Sequence, residues 1–148
     1  MTSDNDSSAV AELVERGMAK HGGEIHTGYF DFHGVLTRTL TNSEMVDRAV
    51  TGFLRAFPGE EAEKPDIEFH LFTVDKLDDS LGEIPAKAAL LYDWGMVKIY
   101  HQGPLRYLEV DTRARVVADV EKRTAVGFAE KELLQSDWLV SNLFFYPL

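Results

Sequence analysis

The feature that most constrains the fold is a series of four short β-type segments in the second half of the chain. They span residues 88–93, 96–101, 105–111 and 115–121, and only two or three residues connect each to the next. The connections are rich in the residues that favour tight turns. A parallel crossover needs a dozen or more residues, so segments joined this closely must pair as antiparallel neighbours.

Two earlier segments also have strand character. Residues 25–40 are rich in β-formers, and the His33-Gly34 pair in their middle suits a turn or a bulge. Residues 66–75 alternate apolar and polar side chains, which is typical of a strand with one buried face. The sequence therefore predicts an antiparallel sheet of about five or six strands.

Three segments have helical character. Residues 9–20 carry apolar side chains at helical spacing and are followed by glycines. Residues 43–57 form a continuous apolar stripe, which a capping box from Thr41 to Glu44 precedes and Pro58 ends. Residues 130–146 are apolar or aromatic on nearly every side, as in a helix that is buried on most of its surface.

Length and composition predict one α+β domain over residues 9–148, with two or three helices packed on the sheet. The polar residues 1–8 are predicted to be disordered. The chain has no Cys, which excludes disulfides and Cys nucleophiles and favours a reducing, cytoplasmic setting. Its net charge of −10, without a basic cluster, argues against nucleic acid and anionic membrane as partners. The longest dense apolar run, about ten residues, is too short to span a bilayer.

The segment YFDFHGVLTRT, residues 29–39, resembles the first motif of the haloacid-dehalogenase-like (HAD) phosphatases. The resemblance implies Asp31 as the nucleophile and magnesium as the cofactor, with Asp78 and Asp79 offered as its late acidic ligands. His33 stands where that family has its second carboxylate. The family's βαβ rhythm is absent from the rest of the chain, which favours Asp31 as a polar residue on the wet face of a strand.

Other chemistry has little support in the sequence. There is no P-loop, no dinucleotide-binding glycine motif and no nucleophile elbow. A metal site assembled across strands is an alternative to exposed histidines, and its ligands would come from Asp31, His26, His33, His70 and His101.

The second half of the chain carries another resemblance. The segments LRYLEVDT and GFAEKELLQSDWLVSNLFFYPL resemble the region that precedes the nucleotide-binding domain in HPr serine kinase-related (HprK-like) proteins. The likeness covers residues 88–148 and, more weakly, the helix at 43–57. It implies an accessory domain with no catalytic residue and no cofactor, because the ATP-binding elements of such kinases lie beyond the matching region. The chain would then be an N-terminal fragment of a longer protein or a stand-alone relative.

The aromatic end of the last helix predicts an interface, because the chain has little left to cover it. The predicted interface residues are Trp138, Phe144, Phe145 and Tyr146. The leading hypothesis is a non-catalytic interaction domain that binds a second copy of itself or a kinase-like partner domain. The alternatives are a magnesium-dependent phosphatase and a small-molecule-binding α+β module whose pocket lies between sheet and helix.

Overall fold

The computed structural model describes residues 2–21, 23–48, 57–61, 63–77, 83–111 and 113–132. In chain order the elements are α1 (Thr2–His21), β1 (His26–Phe32), β2 (Val35–Thr41), a helical segment at 44–48, β3 (Ile67–Val74), β4 (Ala89–Trp94), β5 (Val97–Gln102), β6 (Leu105–Val110), β7 (Ala114–Asp119) and β8 (Thr124–Glu130). In this part of the chain, no helix has the length and apolar character needed to cross a membrane.

All eight strands form one sheet, in the order β1-β2-β3-β8-β7-β6-β5-β4. Strands β4 to β8 make an antiparallel meander, and β1 and β2 form an antiparallel hairpin. Strand β3 pairs in parallel with both β2 and β8. The prediction of an antiparallel sheet of five or six strands with two or three packed helices is therefore wrong, because the sheet has eight strands and is mixed.

The strand count was too low for two physical reasons. Residues 25–40 hold two strands that fold back on each other, so one β-rich segment supplies a whole hairpin. Strand β8 was missed because its sequence, TAVGFAE, does not alternate between apolar and polar residues. Its five inner residues are all buried, since both faces of this central strand are covered.

The β1–β2 hairpin closes with the two-residue loop His33-Gly34. Both residues have positive φ, at 51° and 93°, as the tightest hairpin turns require. The turn predicted at this pair is confirmed. Gly34 meets the backbone requirement at no steric cost, whereas a side chain at this φ is strained.

Both faces of the sheet are buried along its central strands β3, β8 and β7. On one face, α1 lies over β3, β8 and β7, and its Val10 packs in a cluster that contains Phe72 and Phe128. These two aromatic rings stack with centroids 5.6 Å apart. The fit under the helix is tight, because a Cβ added at Gly17 would lie 2.5 Å from the Phe72 ring. The other face is covered in part by Val46 of the helical segment at 44–48.

The predicted helices are found in part. Helix α1 begins at Thr2, so it includes residues 2–8, for which the sequence predicts disorder. The helical segment at 44–48 starts the helix predicted at 43–57, and residues 49–56 lie outside the described residues. Its cap is Ser43, whose Oγ accepts the Val46 N–H at 3.3 Å. Of the helix predicted at 130–146, residues 133–146 also lie outside the described part.

Candidate functional site

The residues of the HAD-like motif lie in the β1–β2 hairpin. Asp31 is exposed near the end of β1, and its Oδ1 accepts the N–H of Gly34 at 2.8 Å. Strand β1 is the first strand in the sheet order and pairs with the antiparallel β2 and, through an antiparallel bridge from Phe30 to Pro58, with residues 57–59. A phosphatase nucleophile needs the end of a parallel strand, which β1 is not. The Asp31 carboxylate therefore stabilises a turn. The proposed magnesium ligands Asp78 and Asp79 lie outside the described residues.

The other predicted site residues are not brought together in the described chain. The predicted interface residues Trp138, Phe144, Phe145 and Tyr146 all fall in the C-terminal segment outside the described ranges. Over the residues that are described, no three His, Asp or Glu side chains are close enough to hold a metal ion. The described histidines and Asp31 thus form no metal centre among themselves.

A polar cluster links β2 to β3 on the face that α1 partly covers. Glu68 Oε1 lies 2.6 Å from His70 Nε2, and its Oε2 accepts the Arg38 Nε–H at 2.9 Å. The parallel register sets Arg38 directly beside Glu68, thirty residues away in sequence. Hydrogen bonds from His70 and then from Arg38 outweigh the effect of burial and lower the pKa of Glu68 to about 2.

The geometry of this cluster favours a structural role over catalysis. A His70 base would need its second ring nitrogen, Nδ1, within reach of a substrate proton. That nitrogen is buried and has no hydrogen-bond partner in the structure. The ring also stacks on Phe72, with centroids 6.5 Å apart. The cluster therefore holds the two strands together, and the buried Nδ1 of His70 is not placed to act as a base.

A cleft of about 630 Å³ opens where the carboxyl ends of the parallel strands β2, β3 and β8 meet. Its lining comes from these strand ends, from the last residue of α1 and from the start of the helical segment. The lining residues are His21, Asn42, Ser43, Met45, Thr73, Val74, Asp75, Lys76 and Lys131.

The far edge of the sheet, strand β4, carries an exposed apolar surface. All six residues of β4 are exposed, and among the described strands it pairs with β5 alone. Five large apolar side chains on β4 and the following turn are each about half exposed, and we call them the β4 strip: Leu90, Leu91, Tyr92, Trp94 and Met96. The rings of Tyr92 and Trp94 lie 5.4 Å apart and form one continuous surface.

The sequence predicted a strand at 88–93 but not this exposed surface. The available signal was the run LLY, which does not alternate, at the start of an antiparallel series. The first strand of such a series can lie at a sheet edge, and there it has no neighbour to cover it.

No family model, curated protein or solved structure matches this chain. Its resemblance to HprK-like proteins therefore stays a prediction. Among the described residues, the β4 strip and the cleft are the surface features that support a functional proposal.

Proposed function

We propose that this chain is a non-catalytic interaction domain that associates with a second copy of itself through the β4 strip. The observation that carries the proposal is the exposure of the strip, from 46% at Leu91 to 55% at Tyr92. Exposed apolar side chains that contact each other on a folded chain, as Tyr92 and Trp94 do, mark interaction sites.

The area of the strip corresponds to a small contact between two copies. A large aromatic side chain contributes about 150–250 Å² when fully buried, so a half-exposed one offers about 100 Å². Tyr92 and Trp94 therefore offer about 200 Å² on each copy, and the half-exposed Leu90, Leu91 and Met96 add smaller areas, which places the contact at the low end of specific interfaces, below about 1,200 Å² in total. A two-fold dimer places the same patch on both copies, so an apolar strip is complementary to itself.

The charge of the strip also favours self-association. The whole chain carries a net charge of −10, so most of its surface would repel a second copy. Between Ala89 and Met96 the single charged residue is Asp93, and it lies opposite Lys98 of β5. The strip is thus a locally balanced region where two acidic copies can approach each other.

The shape of the edge indicates how the copies meet. The register of β4 with β5 shifts between Leu90 and Tyr92, so Leu91 has no partner of its own in the ladder. Such irregularities protect edge strands from pairing with another strand. We therefore expect side-chain packing around Tyr92 and Trp94 to hold the dimer, and we do not expect the two sheets to join into one.

Light scattering after size-exclusion chromatography, over a range of concentrations, tests this proposal. The native chain should be dimeric, and the double variant Tyr92→Lys/Trp94→Lys should be monomeric. Val120→Lys is the matched control, because Val120 is 46% exposed but lies in the β7–β8 turn. A native chain that stays monomeric at the highest concentration, or a dimer that the double variant leaves intact, would overturn the proposal.

A further inference from the structure

The cleft at the carboxyl ends of β2, β3 and β8 has the position and size of a ligand site. In sheets with parallel strands, ligands bind outside the carboxyl ends of those strands. The volume of about 630 Å³ falls within the range of small-molecule sites, about 300–1,000 Å³. The cleft is separated from the β4 strip by the width of the meander, since β4 is the last strand of the sheet.

One wall of the cleft is fixed by Asn42, the first residue after β2. Its Nδ2 donates to the backbone oxygens of His21 at 2.8 Å and of Thr73 at 3.1 Å. Its Oδ1 accepts the Thr73 N–H at 2.7 Å and the Thr73 hydroxyl at 3.1 Å. A single side chain thus joins the end of α1 to the ends of β2 and β3, so the wall is set before any ligand binds.

The cleft is more basic than the rest of the molecule. Lys76 and Lys131 line it, and the acidic residue of the lining is Asp75, whose Oδ1 lies 3.2 Å from Lys131 Nζ. Two lysines against one aspartate leave an excess of positive charge in a chain whose net charge is −10. Glu130 lies next to the lining and its negative charge acts on Lys76, so the excess of positive charge belongs to the lining residues alone. The two carboxylate oxygens of Glu130 accept hydrogen bonds from other groups, the Leu77 N–H and the Arg113 side chain.

We infer that this cleft binds a small molecule through a carboxylate or phosphate group held between Lys76 and Lys131. The lysine ammonium groups supply mobile point charges that suit either anion. The Ser43 hydroxyl accepts the Val46 N–H and keeps its own hydrogen to donate to the anion. Met45, which is 45% exposed, gives the cleft an apolar rim for the rest of the ligand.

Isothermal titration calorimetry tests this inference. The full chain is titrated at constant ionic strength with inorganic phosphate and, separately, with citrate. We expect saturable binding of at least one probe, weakened at least ten-fold in Lys76→Gln/Lys131→Gln. Lys122→Gln is the matched control, because this exposed lysine lies in the β7–β8 turn and does not line the cleft. Both lysines of the double variant are at the surface, and their replacement by Gln should leave the thermal unfolding temperature unchanged.

The outcomes separate the ligand classes and can refute the inference. Binding of phosphate alone indicates phosphorylated ligands, and binding of citrate alone indicates carboxylic acids. The inference is overturned if neither probe shows saturable binding. It is also overturned if Lys122→Gln loses as much affinity as the double variant, because that would indicate an unspecific effect of charge. Repeating the titration with the Tyr92→Lys/Trp94→Lys chain keeps the result independent of the oligomeric state.

Discussion

Replacing Glu68 with Gln isolates the contribution of the polar cluster to stability. Lowering the pKa of this carboxyl group from 4.5 to about 2 corresponds to about 3 kcal/mol, at 1.36 kcal/mol per pKa unit. The Glu68 side chain is 24% exposed, so solvent screens part of this energy. We expect Glu68→Gln to lower the free energy of unfolding by about 1–2 kcal/mol at pH 7, because hydrogen bonds to a charged group are the strong ones.

The pH dependence of this loss has a definite sign. The folded-state pKa is below the unfolded one, so the stabilisation is complete above about pH 5 and is lost as the pH falls from 4.5 toward 2. The Glu68→Gln variant lacks this stabilisation at every pH, because Gln does not ionise. The difference between native chain and variant should therefore shrink to less than about half by pH 3.

Urea unfolding of both chains at several pH values between 7 and 3 measures this difference. Glu12→Gln serves as the control, because Glu12 makes an exposed pair with Arg16 at 2.7 Å on α1. Such a helix pair contributes only about 0.3–0.5 kcal/mol. The proposed origin of the stabilisation is wrong if Glu68→Gln lowers the free energy of unfolding by no more than Glu12→Gln does at pH 7. It is also wrong if the difference between the native chain and Glu68→Gln stays constant down to pH 3.

Three further changes test other parts of the structure. Gly17→Leu should lower the free energy of unfolding by about 1–3 kcal/mol, because the added side chain meets the Phe72 ring. Thermal unfolding measures this loss, and Ala19→Leu, at an exposed position of α1, is the control. Gly34→Ala should cost about 1–2 kcal/mol in the same assay, because its φ of 93° strains any side chain, and an unchanged unfolding temperature would contradict the turn geometry. If the C-terminal aromatic residues contribute to the interface, Phe144→Asp should weaken the concentration-dependent association. A dimer that Phe144→Asp leaves unchanged would show that these residues do not contribute.

The sequence predicted best those parts of the fold that local turns determine. Strands β5, β6 and β7 lie within one or two residues of their predicted positions, because short connections separate them and those before and after β5 contain Gly95 and Gly103-Pro104. Strand β8 was not predicted, since a strand buried on both faces lacks the alternation on which strand prediction depends. Strands β5 and β8 belong to the same meander, and they differ in burial, because β5 is partly exposed whereas the inner residues of β8 are all buried.

The candidate sites were harder to predict because they depend on pairings between distant segments. Arg38 and Glu68 meet only because β2 and β3 are parallel and in one register, which no local pattern contains. The cleft likewise needs the ends of three strands from separate parts of the chain. The Asp31 motif shows the opposite case, in which a local likeness to an enzyme motif coincides with an ordinary hairpin turn.

The position of β8 has a consequence for how the chain is made in the cell. The last strand along the described chain is a central one in the sheet, between β3 and β7. Until the ribosome has released residues 124–130, the N-terminal three-stranded unit and the meander each present an unpaired inner edge. The pairing of β8 with β3 joins segments about fifty residues apart, and such distant pairing is slow compared with hairpin formation. The nascent chain is therefore exposed to aggregation until residues 124–130 have emerged, and a chain cut short before residue 124 would keep both inner edges open.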